Sequence, residues 1–168
     1  MYVLLKKNII RRLPFLLALF FILLKSLSFD VFGFSQSYLS NLWGVIFYFA
    51  VFNAKLLNIV MVFCLGVFAD FLLSVPFGLS PVVYCTIFLI GQLNRGQIII
   101  QSFKKQWLTY SVISGFLFVV GLLLLKGLYN HIPHLYYLLT EYVSLIICYP
   151  LIAGICGYVN RLIGKYEV

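Results

Sequence analysis

Negative charge is scarce in this chain. Four Asp and Glu stand among 168 residues, against twelve Lys and Arg. Charged residues together make up 10% of the sequence, where soluble domains carry roughly 25%. No paired catalytic carboxylates are present. Proton relays, which need several titratable groups at similar depth, are disfavoured. The chain also lacks a Ser–His–Asp arrangement, a phosphate-binding glycine loop and an internal repeat of the kind that builds symmetric transporters. No long polar stretch exists, so a soluble catalytic domain has no room. Histidine occurs twice, as His131 and His134 on either side of Pro133. No Cys, Asp or Glu lies near them in sequence, and they read as solvated loop residues. The four cysteines, Cys64, Cys85, Cys148 and Cys156, fall in apolar segments without metal-ligand spacing and read as small buried hydrophobes. No catalytic, metal or cofactor-binding residue is expected.

Apolar residues fill the space. They make up 64% of the chain, and the mean hydropathy is +1.09. No water-soluble core absorbs that much apolar surface, so composition points to a single all-α domain embedded in a membrane, over residues 1–168. With about 20 apolar residues as the spanning length, six spans are expected. They cover about 13–34, 39–52, 56–75, 79–93, 107–125 and 135–155. The apolar core of the first is Leu13 to Leu24, and the sixth can extend to Ile163. The second and fourth are short for a full crossing. Lys6, Lys7, Arg11 and Arg12 before the first span resemble a signal peptide's basic region, but no small-residue cleavage site follows, so an uncleaved first span is expected.

Charge orients the six spans. With the N-terminus inside, the inner segments carry Lys6, Lys7, Arg11, Arg12, Lys55, Arg95, Lys104, Lys105, Arg161 and Lys165, and the outer ones only Lys25 and Lys126. That is a strong positive-inside bias and places both termini in the cytoplasm. The net charge of +8 is therefore mainly a topology signal. Nucleic-acid binding is a poor reading of charges scattered through short loops. Attraction to anionic inner-leaflet lipid follows instead.

Asp70 is the residue that limits function most. It lies within an apolar run, where a carboxylate costs about 2.5–3.5 kcal/mol at the bilayer centre on insertion scales. Gly66, Asp70 and Ser74 are four apart and share one small, polar helix face. Three readings stay open: a hydrogen bond that fixes the bundle, a proton or ion path, or a face for a partner or ligand. The Pro76-Phe-Gly78 sequence after it reads as a tight outer turn, with Pro81 in the first turn of the next helix. Glu141 is a secondary candidate near the outer end of span six, within reach of interfacial water. Pro150 should kink that span or free a carbonyl. Gly154 and Gly157 offer a strip for close helix approach, as do Gly115 and Gly121 on span five. Arg95 reads as an orientation anchor. Trp43, Tyr38, Trp107, Tyr136 and Tyr137 fit interfacial belts.

The pattern Gly66-x-x-x-Asp70, Pro76-x-Gly78-Leu79 and an apolar span ending at Arg95 resembles the bacterial rod shape-determining MreD family. The order of features agrees along the chain: a basic N-terminus, a short second span with Trp43, a third with the Gly–Asp pair, a basic inner loop and two longer spans. Two details depart from the family, namely the lack of a proline at the start of span two and of a glycine just before Pro76. The resemblance implies a six-helix fold like the substrate-binding subunit of energy-coupling-factor transporters. It implies a non-enzymatic part of the cell-wall elongation machinery, working with an MreC-like membrane protein and, indirectly, an MreB-like filament, a RodA-like polymerase and a class B penicillin-binding protein. The competing expectation is a true substrate-binding subunit of a vitamin or metal transporter, since fold does not fix function.

Overall fold

The computed structural model describes residues 12–27, 41–73, 77–129 and 135–167. The regular structure among them is entirely helical. Helix α1 spans Leu13–Leu27, α2 Leu42–Phe52, α3 Ile59–Leu73, α4 Leu79–Leu93, α5 Arg95–Ile100, α6 Phe103–Tyr129 and α7 Leu135–Glu167. Six of these follow the expected spans in order.

Helix α2 is the hub. Every residue from Leu42 to Val51 is buried, as expected of a helix that is apolar all round. It contacts α1, α4, α5, α6 and α7. At 11 residues it is only ~17 Å long. Trp43 is 4% exposed, so it packs in the core and is not a belt residue. Its neighbours on a helix with no free face leave it no route to an interface. Phe47 meets Tyr110 of α6 and Tyr149 of α7, and those two tyrosine rings stack with centroids 4.0 Å apart. Three aromatic rings thus tie the hub to the two longest helices.

The structure adds to and shifts the expected boundaries. Helix α3 starts at Ile59, because the Asn58 side-chain oxygen accepts the Ile59 N–H at 2.7 Å and the Asn58 carbonyl accepts the first helical bond from Val62. Helix α5 occupies part of the basic loop. It is anchored by buried Ile98, and the Gln106 amide donates to the carbonyls of Ile98 and Gln101 at 3.2 and 3.0 Å. Helix α7 continues well past Ile155. Its extension is amphipathic rather than apolar: Cys156, Val159 and Ile163 form a buried stripe while Tyr158 and Arg161 are exposed.

Helix α7 also runs through Pro150 without a break. A proline has no N–H for the carbonyl four residues back, which leaves the oxygen of Ile146 without its helical partner. The Trp107 indole N–H donates to that oxygen at 3.0 Å. Trp107 therefore joins α6 to α7 at the proline, a role its placement in an interfacial belt does not foresee. Nearby, the Tyr142 hydroxyl donates to the Ser111 carbonyl at 2.8 Å, in space that Gly115 leaves open. Gly121 meets no other helix.

Two segments, Phe103–Leu123 and Leu139–Gly164, are long and apolar enough to cross a membrane. Within an 18-residue apolar window of each, only 22% and 33% is buried inside the protein, unlike the core helix of a soluble fold. Leu108, Val112, Phe116, Val119 and Leu123 are each more than half exposed and run as one stripe down α6. Helix α7 carries a similar stripe at Leu139, Val143, Ile147 and Leu151.

Trp107→Phe keeps the ring and removes the donor. It should lower stability by about 1 kcal/mol. In a Pro150→Ala background, the restored N–H serves Ile146, and the same substitution should have much less effect. Thermal melts of the four proteins in detergent give the coupling directly; equal losses in both backgrounds would remove Trp107 from this role.

Candidate functional site

Asp70 sits three residues before the end of α3 and is 1% exposed. A buried carboxyl group needs donors close at hand. Two backbone groups supply them: the Gly78 N–H reaches Oδ2 at 2.7 Å, and the Ser80 N–H reaches Oδ1 at 3.1 Å. Both donors belong to the start of α4, whose first N–H groups have no partner within their own helix. Gly78 is the residue that caps α4, and its own side offers no capping side chain. Asp70 is therefore a cap supplied from the preceding helix. It also faces the positive end of the α4 dipole.

The approach that makes this bond possible depends on two glycines. A Cβ on Gly66 would lie 2.5 Å from Pro81 Cα and 2.6 Å from its nitrogen. Only hydrogen fits there, so α3 and α4 touch backbone to backbone one helical turn below the Asp70 bonds. Gly78 adopts φ +96°, the left-handed region that L side chains resist. That turn points the Gly78 and Ser80 N–H donors, two residues apart, back at α3. Of the proposed face, the structure brings together Gly66, Asp70 and Gly78. Ser74 and Pro76 lie outside the described residues. Ser80 and Pro81 complete the junction and carry no sequence signal for it, because they act through backbone atoms and close contact.

The other candidates separate. Glu141 is half-buried in the first part of α7, on the Asp70 half of the bundle. Gly157 faces the Tyr48 hydroxyl, while nothing lies within 4 Å of a Cβ on Gly154. The glycine strip on α7 thus meets α2 only through Tyr48 at Gly157, and Gly154 opens into a cleft. Cys64 is exposed on α3, a correction to its reading as a buried hydrophobe, whereas Cys156 is buried; all four cysteines are free. His131 and His134, with Tyr38, lie outside the described residues. Tyr136 is 72% exposed. Among the described residues no group of His, Cys, Asp and Glu could hold a metal.

The cleft has a volume of about 610 Å³ and lies between α2, α6 and α7. Tyr48, Phe52, Phe103 and Gln106 form one side, and Tyr149, Pro150, Ala153, Gly154, Gly157, Tyr158 and Arg161 the other. The α7 residues recur at helical spacing, a signal the sequence contains and its reading passes over. This is the basic end of the bundle. Arg95 reaches the Phe52 carbonyl at 3.5 Å, Asn53 donates to Asn160 at 3.1 Å, and exposed Lys55, Lys104 and Lys105 adjoin these residues in the chain. Lys126 is exposed near the far end of α6.

The fold and the site define a helical bundle with two helices long and apolar enough to cross a membrane and a buried carboxylate clasp between α3 and α4. No protein-family model, curated protein or solved structure matches the chain.

Asp70→Ala leaves two buried N–H donors without acceptors and should cost about 2–3 kcal/mol. Asp70→Asn keeps one acceptor and should lose less. Gly66→Ala should cost about 1–3 kcal/mol by forcing the helices apart, and Gly78→Ala about 1–2 kcal/mol through its left-handed backbone. Melting of the detergent-solubilised variants ranks them; an unchanged melting temperature for Asp70→Ala would remove the clasp from the account of stability.

Proposed function

We propose that this chain is a multi-pass protein of a bacterial plasma membrane, with six spans and both termini in the cytoplasm. It acts there as a non-enzymatic scaffold of the cell-wall elongation machinery, of the kind the MreD resemblance implies. Its work is to hold an MreC-like membrane protein in place, and through it an MreB-like filament, a RodA-like polymerase and a class B penicillin-binding protein.

The observation that carries this reading is the use made of Asp70. The Gly66–Asp70–Gly78 pattern is what the resemblance rests on, and both carboxylate oxygens are engaged by the backbone of the same chain. A motif committed to bundle geometry suits a protein whose product is a shaped surface. The exposed apolar stripes of α6 and α7 support membrane embedding, since a contiguous surface of that kind requires cover by lipid or another protein. Lys55, Arg95, Lys104, Lys105 and Arg161 gather at one end, as a positive-inside topology requires. A transporter's substrate-binding subunit needs a polar cavity opening outward, at the Asp70 end. Among the described residues, the 610 Å³ cleft opens at the other.

Depletion in the native host, followed by light microscopy and crosslinking pull-down, tests the reading. Rod cells should turn round and an MreC-like protein should be recovered. Complementation with Asp70→Ala should fail or give a lowered protein level, while Cys64→Ala and His134→Ala should restore shape. Unchanged cell shape with an ATPase-linked membrane subunit in the pull-down would replace the scaffold by the transporter.

A further inference from the structure

The cleft between α2, α6 and α7 combines an apolar wall with a cationic mouth. Phe52, Phe103, Ala153 and Gly154 supply the wall, and Arg161 stands on its rim. Gln106 also lines it, but both hydrogens of its amide are taken by the carbonyls of Ile98 and Gln101. Arg161 is therefore the charged donor that the lining offers to a ligand. Lys104 follows Phe103 directly, and Lys55 and Arg95 belong to the same end. The two carboxylates whose surroundings are described, Asp70 and Glu141, belong to the opposite half of the bundle, and Glu167 closes α7. The field at the mouth favours an anion.

We infer that this cleft holds an anionic phospholipid, with an acyl chain along the apolar wall and the phosphate against Arg161. The inference rests on the membrane-embedded part of the proposed function and not on the scaffold role. Dimensions favour a lipid over a partner helix. From Tyr149 to Arg161 the cleft follows α7 for ~18 Å, close to one leaflet of a hydrocarbon core about 30 Å thick. A spanning helix would need a groove running the full depth. The volume of about 610 Å³ falls within the range of about 300–1,000 Å³ seen for small-ligand sites. A basic recess between helices at the cytoplasmic side is also the setting in which anionic headgroups bind.

Gly154 provides the sharpest variant. Nothing lies within 4 Å of a Cβ placed there, so Gly154→Leu starts its side chain in open space on the cleft lining. The test is native mass spectrometry of the full chain in detergent, titrated with phosphatidylglycerol and with phosphatidylcholine of the same acyl chains. The wild type should prefer phosphatidylglycerol by about fivefold or more. Arg161→Gln should erase the preference between headgroups, Gly154→Leu should lower retention of both lipids, and Lys126→Gln, at the other end, should match the wild type. Circular dichroism and melting establish that each variant is folded, and the exposed Arg161 decides the matter alone if Gly154→Leu misfolds. Equal binding of the two lipids by the wild type, or an Arg161→Gln protein that keeps the preference, would overturn the site. So would crosslinking from position 154 that captures a protein helix in place of lipid. Vesicle flotation and resistance to alkaline extraction read membrane embedding separately. A protein that floats without a headgroup preference refutes the lipid site alone, and one that does not float refutes both.

Discussion

A carboxyl group at 1% exposure among apolar helices has to find its donors within a few ångströms. In this bundle the donors are the first N–H groups of α4, which have the converse need. The Asp70 bonds to Gly78 and Ser80 satisfy both at once. Much of the local geometry follows from that exchange. Gly78 must take a left-handed backbone, and α3 must lie close enough to α4 that Gly66 meets Pro81 with no room for a side chain. The two helices are clasped together at this point. Helix α4 packs on the hub α2, and α3 carries its exposed apolar residues outward.

The second half of the bundle is organised by a different deficiency. Pro150 removes one hydrogen bond from α7, and the Trp107 indole restores a donor from α6. Tyr142 and Ser111 make a second link across the same pair. Beyond Pro150 toward the basic end, α6 and α7 leave a cleft beside α2, bounded by Tyr149 and Arg161. The two ends of the molecule therefore differ in kind. At one, both carboxyl oxygens of Asp70 are engaged by backbone of the same chain. The other is open, cationic and lined with rings, glycines and an alanine.

Parts of this arrangement were legible in the sequence because they depend on periodicity and composition. The order of the six longer helices follows from apolar runs, and the shared face of Gly66 and Asp70 follows from a spacing of four. The freed carbonyl follows from a proline inside a helix. Other parts leave no such mark. Asp70 bonds to backbone N–H groups, which nearly every residue possesses, so no residue type announces the partner. Trp43 was legible as an aromatic near a helix start, but burial depends on α2 being surrounded on all sides. Helix α5 escapes a search for apolar runs because it is only six residues long and opens with Arg95, Gly96 and Gln97.

The sequence by itself determined that the chain is helical, strongly apolar and polarised in charge, since those properties are sums over residues and need no knowledge of contacts. It also determined which residues were chemically unusual: a carboxylate in an apolar run, a proline within a helix, glycines at helical spacing. Only the tertiary structure decided what each is for. Hydrogen bonds and close packing are pairwise, and the partner of Asp70, Trp107 or Gly66 lies on another helix whose register is set by the packing of the whole bundle. The same reason separates Gly154 from Gly66. Both are glycines in apolar helices, yet one is pressed against a proline backbone and the other opens into the cleft beside Arg161.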